Sequence, residues 1–222
     1  MAKITRENLN YKAYKAIKKM INNYYFKPGE RINVEKVARE LQISRTPVWE
    51  AIRRLEQEGL FLNLPNKQGV YMHALTQQEA IDLIEVRQKL EEMVAILAAK
   101  NIDDKTILKL EKILDKQKNI LLNQDIIAYA QSDTEFHTLI YESTTNKYLV
   151  EILKNIQSKI HPISMHFSDF MHNFYINHIE IIDSLKSRDS YKIQAKLREH
   201  TQYILKVIRN GEMTFISSDN NK

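Results

Sequence analysis

Between residues 76 and 210, apolar side chains recur every three or four positions, the spacing that places them on one face of an α-helix. The stretches between these segments are only a few residues long, which favours antiparallel neighbours. The 222 residues include 4 glycines and 4 prolines, too few for the many tight turns of a β-rich or Rossmann-type fold. The sequence therefore predicts an antiparallel bundle of about six helices in this part of the chain.

The bundle helices are predicted to begin at capping residues. The first follows Thr76-Gln77-Gln78-Glu79, in which a hydroxyl and a carboxylate three positions later have the form of a capping box. The others are predicted from Asp103 or Asp104 to about 122, from Asp125 to about 143, over about 147–168, over about 173–187 and from Asp189 to about 210. Pro162 should break or kink the fourth helix, because proline removes a backbone donor.

The first 75 residues show a different order of elements. Apolar spacing predicts a helix over 9–21, a second capped by Asn33, and a third that Ser44 caps and that Gly59 closes after about Glu58. Two short strands, Leu60–Leu64 and Val70–Met72, follow around a turn. Three helices and a β-hairpin in this order are the layout of a winged helix-turn-helix. We therefore expect a mainly all-α chain with a winged helix-turn-helix at 1–75, the bundle at 76–215 and a polar tail at 216–222.

Positive charge is concentrated in the same first part of the chain. Residues 1–75 carry 14 Lys and Arg against 7 Asp and Glu, whereas residues 76–222 carry 19 against 21. A basic module joined to a nearly neutral one is typical of a polyanion-binding module attached to a part with another task. A solvated charged face is the alternative, and the winged-helix layout favours double-stranded DNA over it.

The third predicted helix carries the residues that suit DNA. Arg45, Trp49 and Arg53 are four positions apart and share one stripe beside the apolar stripe within Val48–Leu55. An exposed arginine near a helix N-terminus can bind O6 and N7 of guanine together, while hydroxyl groups bind phosphates. The candidate DNA contacts, including those of the β-hairpin, which we call the wing, are Ser44, Arg45, Thr46, Trp49, Arg53, Lys67 and Gly69. An ordinary charged surface helix with a structural hairpin remains the alternative.

This region resembles the N-terminal domain of GntR-type bacterial transcription regulators. The resemblance lies in KPGERINVEKVARELQISRTPVWEAIRRLEQEGLFLNLPNKQGVYM, residues Lys27–Met72. It implies that Arg45, Thr46 and Gly69 are DNA contacts. The family commonly has a second arginine where this chain has Trp49, and an indole cannot make the bidentate guanine contact. We therefore expect an operator that departs from the family's usual GT…AC palindrome at the base read by this position.

Four residues of the predicted bundle suggest a metal site or a polar core. Asp133 and His137 are one helical turn apart, so their side chains point the same way and could chelate one divalent ion. His178 and His200 fall within the apolar periodicity of the last two helices, so both should face inward. From the residues alone, hydrogen-bonded core histidines remain the alternative to metal ligands.

Residues 77–210 resemble the FCD ligand domain of the FadR-like subfamily of these regulators. The resemblance lies in the order of VRQKLEEMVAILAA (Val86–Ala99), DTEFH (Asp133–His137), NKYL (Asn146–Leu149), NHIEIIDSLKSRD (Asn177–Asp189) and AKLREH (Ala195–His200). It implies a divalent metal on Asp133, His137, His178 and His200, with zinc expected first and nickel, manganese or iron as alternatives. It also implies that Arg87 binds a small carboxylate effector; a surface arginine paired with Glu91 is the alternative.

The remaining features narrow the class of protein. The chain has no cysteine, so disulfides and thiolate chemistry are excluded. No run of 18 apolar residues occurs and the basic N-terminus lacks a signal-peptide pattern, so we expect a cytoplasmic protein that does not enter a membrane. We expect a homodimeric, effector-controlled transcription regulator, more readily a repressor than an activator, and not an enzyme. The alternatives are a DNA-binding protein whose helical domain only dimerises and a metal-dependent hydrolase.

Overall fold

The computed structural model describes residues 6–64, 68–212 and 215. The chain divides into two compact units, one spanning Met1–Ala74 and the other Leu75–Phe215. Within the described residues there are nine α-helices, one 3₁₀ helix and one two-stranded antiparallel sheet. The predicted fold class, a small winged helix-turn-helix followed by a helical bundle, is confirmed. No helix among the described residues is long and apolar enough to span a membrane.

The N-terminal unit contains three helices and the hairpin. These are α1 (Arg6–Asn22), α2 (Val34–Glu40), α3 (Arg45–Gln57), β1 (Phe61–Asn63) and β2 (Val70–Met72). Phe61 pairs with Met72 across the hairpin. On the other side of β2, Arg31 forms an isolated bridge with Tyr71, and the N–H of Ile32 donates to the carbonyl of Val70 at 2.8 Å. The segment before α2 therefore lies against the wing.

The third helix is fixed by its apolar stripe and its ends. Its buried residues are Pro47, Val48, Ala51, Ile52 and Leu55, which pack in the core of this unit. Asn33 caps α2 as predicted, since its side chain accepts from the N–H of Lys36. Ser44 stands at the N-cap of α3, but its side chain makes no capping hydrogen bond, contrary to the prediction. Gly59 follows the helix with φ of 73°, so it closes α3 as predicted.

Six α-helices and the 3₁₀ helix make up the described part of the second unit. They are α4 (Gln77–Asn101), α5 (Asp104–Asn123), α6 (Ile126–Ser143), α7 (Lys147–Ile160), the 3₁₀ helix (His161–Phe170), α8 (Met171–Ser187) and α9 (Ser190–Arg209). Thr76 and Glu79 form the predicted capping box. Asp103, Asp125 and Asp189 each cap the next helix through a side-chain oxygen. Side-chain capping thus marks the first residue of most bundle helices.

The main difference from the prediction lies around Pro162. Helix α7 ends at Ile160 instead of near residue 168, and the chain continues as the 3₁₀ helix with a kink at Phe167. Proline cannot donate the next α-helical hydrogen bond, and the tighter 3₁₀ winding tolerates its position in the first turn. As a result, Ile163 and Phe167 turn into the bundle core.

The bundle core consists of two apolar clusters. One centres on fully buried residues of α4, α6, α8 and α9, such as Ala95, Ile140 and Leu185. The other includes Phe174 of α8 and Ile208 of α9. His178 stacks on Phe136 of the first cluster, with ring centroids 4.1 Å apart, and His200 contacts Phe174 of the second edge-on at 5.7 Å. The polar residues considered next therefore lie between the two clusters.

Candidate metal centre and nucleic-acid interface

The four residues predicted as metal ligands converge in the bundle; we call them the Asp–His cluster. They are Asp133 and His137 of α6, His178 of α8 and His200 of α9. One potential ligand atom from each lies within 4.8 Å of the others. Oδ1 of Asp133 is 3.3 Å from Nε2 of His178 and 3.8 Å from Nε2 of His137. The three imidazoles are at most 1% exposed.

Several nitrogens of the Asp–His cluster have no hydrogen-bond partner within the described structure. They are both ring nitrogens of His137, Nε2 of His178 and Nδ1 of His200. A buried polar atom left in this state costs about 1–3 kcal/mol. Such a cost is removed when an ion takes up the lone pairs, and three imidazoles with one carboxylate suit zinc, nickel, manganese or iron. The residues present therefore fit a divalent metal.

One imidazole is oriented by a residue that the sequence analysis missed. Nδ1 of His178 lies 2.9 Å from Oε1 of Gln117, which is fully buried on α5. In the tautomer that can bind a metal through Nε2, Nδ1 donates this hydrogen bond to the amide oxygen, and the lone pair of Nε2 faces Asp133. Outer partners of this kind fix the tautomer of metal-binding histidines. The sequence did hold a signal, since Gln117 occupies an apolar-stripe position between Ile113 and Ile120.

Burial and charge set the protonation of the Asp–His cluster. Burial, followed by the charge of Arg87, lowers the pKa of His137 well below its usual value. Burial and then His178 do the same to the pKa of His200. Burial raises the pKa of the Asp133 carboxyl, but the imidazoles of His137 and His178 outweigh it, so this pKa lies below its usual range. Neutral imidazoles at His137 and His200 beside an ionised Asp133 are protonation states that suit a metal.

Arg87, the predicted effector residue, is buried and only 4% exposed. Its Nε donates to Oε1 of Glu91 at 2.8 Å, and the hydroxyl of Tyr141 donates to the same oxygen at 2.7 Å. Burial lowers the pKa of Arg87, but the charge of Glu91 outweighs it and raises this pKa. The pairing with Glu91 is therefore present, but in the interior instead of on the surface. Nη2 of Arg87 has no hydrogen-bond partner among the described residues.

A cavity of about 40 Å³ lies beside Arg87 and the Asp–His cluster; we call it the Arg87 cavity. Arg87, Asp133 and His200 line it, together with the buried Tyr129, whose hydroxyl has no partner within the described residues. Burial, followed by the charge of Asp133, raises the pKa of Tyr129, so its hydroxyl stays protonated. The other lining residues are Ile126, Ala130, Ile160, Ser164, Phe167, Phe174 and Ile204.

The predicted DNA-contacting residues of α3 lie on one exposed face, which we call the recognition face. It consists of Ser44, Arg45, Thr46, Trp49 and Arg53. Arg45 pairs with Glu35 of α2 at 3.0 Å, and both side chains are more than two-thirds exposed. Trp49 is 41% exposed and borders two surface grooves between α3 and the wing. Lys67, the predicted wing contact, lies outside the described residues.

The described part of the wing adds one cation that the sequence analysis missed. Gly69 has φ of 109°, a conformation that side-chain-bearing residues rarely adopt. A Cβ atom on Gly69 would stand 2.7 Å from Nε of Arg31, an exposed residue. Arg31, Trp49 and Gly69 line the same groove. Arg31 lies close to the recognition face because its segment packs beside the wing, which its neighbours in sequence do not indicate.

Comparison with known families decides the class of the protein. The model of the FCD domain matches residues 82–203, and that of the bacterial regulatory proteins of the gntR family matches residues 9–71. The chain is a GntR-family transcription regulator with an FCD domain. The predicted family is therefore confirmed, and the protein is a DNA-binding regulator and not a metal-dependent hydrolase.

Individual GntR-family proteins are similar over most of the chain. The Nta operon transcriptional regulator of Aminobacter aminovorans is 30% identical over 207 residues, 90% of this chain and 96% of that protein. The uncharacterized HTH-type transcriptional regulator YdhC of Bacillus subtilis is 33% identical over 67% of this chain and 66% of its own length. McbR/YncC of E. coli shares the fold with a TM-score of 0.82 at 20% identity, covering 91% of this chain and 98% of its own.

Proposed function

We propose that this GntR-family regulator is a dimeric repressor that binds a palindromic operator and releases it when a small carboxylate binds in the Arg87 cavity. The acid would coordinate a divalent metal held by Asp133, His137, His178 and His200. The observation that carries the proposal is the set of unpartnered nitrogens of the buried Asp–His cluster beside Nη2 of Arg87, also unpartnered in the described structure. Both groups line or adjoin the same cavity.

Each residue has a defined task in this proposal. A bound divalent ion supplies Lewis acidity toward a carboxylate oxygen. Nη2 of Arg87 donates a hydrogen bond to the same carboxylate, and Glu91 holds the guanidinium through its Nε. Gln117 keeps the lone pair of His178 directed at Asp133. Release from DNA then requires the acid to favour the low-affinity arrangement of the dimer by about 1–3 kcal/mol.

On the DNA side, the recognition face would enter the major groove. Arg45 at the start of α3 reads a base edge, and Thr46 contacts a phosphate. Trp49 replaces a second cation with an indole, which packs on a thymine methyl or a sugar. Arg31 and the wing, with Gly69 and Lys67, would follow the neighbouring backbone. We propose that this indole shifts the preferred base at one operator position.

Exposed apolar residues on α4 support the dimer. Val86, Met93 and Ile96 are each at least half exposed and are seven and three positions apart, so they share one face of the helix. A second copy of the chain would cover them. Light scattering tests this part: Ile96→Glu should yield monomers at concentrations where the parent chain is dimeric. Leu122→Glu, at a more exposed apolar site on α5, should leave the dimer intact.

The central experiment measures retention of fragments of the organism's own chromosome by the zinc-loaded chain. We expect sequence-selective, salt-sensitive binding that a pool of small organic acids releases and that a chelator makes insensitive to those acids. Arg45→Ala should weaken specific binding by about 1–3 kcal/mol, whereas Lys112→Ala on the exposed surface of α5 should not. Release by acids that persists in the chelated protein would contradict the metal-centred mechanism, and selective binding that Arg45→Ala leaves intact would contradict the assigned interface.

A further inference from the structure

The charges around the Arg87 cavity restrict which acids it accepts. Arg87 is the only lysine or arginine among the described lining residues. It is already paired at 2.8 Å with Glu91, and Asp133 adds a second carboxylate. Counting Arg87, Glu91 and Asp133, the chain alone therefore places one excess negative charge around this cavity. A divalent ion in the Asp–His cluster turns that excess into one net positive charge.

The composition of the lining agrees with this charge balance. Its charged or metal-binding residues are Asp133, His200 and Arg87, and Nη2 of Arg87 has no partner within the described residues. Apart from these, Ser164 and the hydroxyl of Tyr129, the described lining is aliphatic or aromatic: Ile126, Ala130, Ile160, Phe167, Phe174 and Ile204. A second carboxylate would be buried against these side chains without a cation, which is strongly unfavourable.

We infer that the effector is a monocarboxylate with an apolar body, whose single carboxylate meets the metal and Arg87 and whose hydrocarbon part contacts the apolar lining residues. This inference rests on the proposed metal-centred, acid-sensing function and narrows its ligand class. Tyr129 adds one hydrogen-bond donor, so a hydroxyl or carbonyl oxygen near the carboxylate is accommodated. Di- and tricarboxylates and sugar acids are disfavoured by the apolar lining.

The test compares two acids with the same six-carbon chain, hexanoate and adipate, on the full-length zinc-loaded protein. Titration calorimetry and thermal unfolding report binding without DNA. We expect hexanoate to bind at least about tenfold more tightly than adipate, and its stabilising effect to disappear with a chelator. Tighter or equal binding of adipate, or of citrate, overturns the inference while leaving acid sensing in place. If none of these acids binds at millimolar concentration, both the inference and the proposed effector role fail.

A gain-of-function variant tests the charge argument separately. Ser164 lies in the 3₁₀ helix and lines the cavity, so Ser164→Arg supplies a second cation in the lining. It should lower the preference for hexanoate over adipate by about tenfold or reverse it. The matched control is Ser168→Arg, at an exposed position of the same 3₁₀ helix that does not line the cavity. A folded Ser164→Arg protein with unchanged preference contradicts the inference.

Discussion

The two units of the molecule present their functional side chains in opposite ways. The Asp–His cluster draws on three helices, its imidazoles are at most 1% exposed, and several of their nitrogens have no partner in the described structure. The recognition face comes from ten consecutive positions, 44–53, and its side chains are in water. The difference teaches that the buried site depends on exact placement and protonation, whereas the exposed face depends on which side chains it displays. Substitutions in the two units should therefore differ in size of effect.

The largest effect is expected for His137→Ala. His137 has two unpartnered ring nitrogens at the centre of the Asp–His cluster, so its loss removes a ligand directly. Zinc affinity should fall by more than the roughly 10–100-fold that follows from loss of an outer partner. Metal analysis of the purified protein measures this change. His172→Ala, at an exposed position of α8, is the control, and equal metal content in both variants would refute the assignment.

Acidification should destabilise the metal-free protein through the same cluster. The folded-state pKa values of His137 and His200 are lowered, so below the ordinary histidine value of about 6.5 the unfolded chain binds more protons. The contribution of these histidines to the free energy of unfolding is then complete above that pH. It declines as the pH falls below that value, by up to about 1.4 kcal/mol per pH unit for each group. Urea unfolding at neutral and mildly acidic pH measures the slope. A double His137→Ala/His200→Ala variant with the same slope would assign it to other groups.

A smaller effect is expected for Gln117→Leu. The substitution keeps the volume at a fully buried position but removes the acceptor that orients Nδ1 of His178. We expect about a 10–100-fold loss of zinc affinity with secondary structure unchanged. Asn119→Leu, on the exposed side of α5, controls for the apolar replacement. If Gln117→Leu keeps full affinity, stacking on Phe136 is sufficient to orient the ring.

In the N-terminal unit, Gly69→Ala should act mainly through the backbone. At φ of 109° an alanine is strained, and its Cβ would displace Arg31 from its position 2.7 Å away. We expect a loss of about 1 kcal/mol or more in stability and weaker DNA binding. Gly211→Ala controls for the positive φ alone, because φ there is 68° and no atom lies within 4 Å of the added Cβ. Equal losses of stability in the two variants would mean that the contact with Arg31 adds no cost.

The smallest effect is expected for Glu35→Gln. Glu35 pairs with Arg45, and both are exposed, so the ion pair contributes less than about 1 kcal/mol. The substitution frees Arg45 and removes one negative charge near the recognition face, so DNA affinity should rise a few-fold. Glu85→Gln makes the same charge change at the exposed pair with Arg209 in the bundle. Equal DNA affinities for these two variants would exclude competition by Glu35.

Features encoded by neighbouring residues were predictable from the sequence. The capping box at Thr76 and the apolar stripe Val48–Leu55 are correct because both depend on residues within one or two helical turns. The end of α7 was predicted too late, although Pro162 was identified as a breaker, because a 3₁₀ helix keeps nearly the same spacing of apolar residues.

Features that depend on packing between distant segments were less accessible. The pairing of Arg87 with Glu91 follows from i,i+4 spacing, but its burial depends on Tyr141 of another helix. Gln117 meets His178 across 61 positions of sequence. Arg31 reaches Gly69 because its segment bridges to the hairpin. In each case the contact is set by tertiary structure, and the sequence offered at most a polar residue in an apolar stripe.

The 3₁₀ helix has a consequence for how such regulators diversify. It contributes Ser164 and Phe167 to the Arg87 cavity, yet none of the four candidate metal ligands lies on it. Mutations accumulating in this ten-residue segment could change which metabolite a descendant responds to while the coordinating side chains are inherited unaltered. The segment that contains Pro162 would thus allow ligand specificity to change independently of the four residues that would bind the metal.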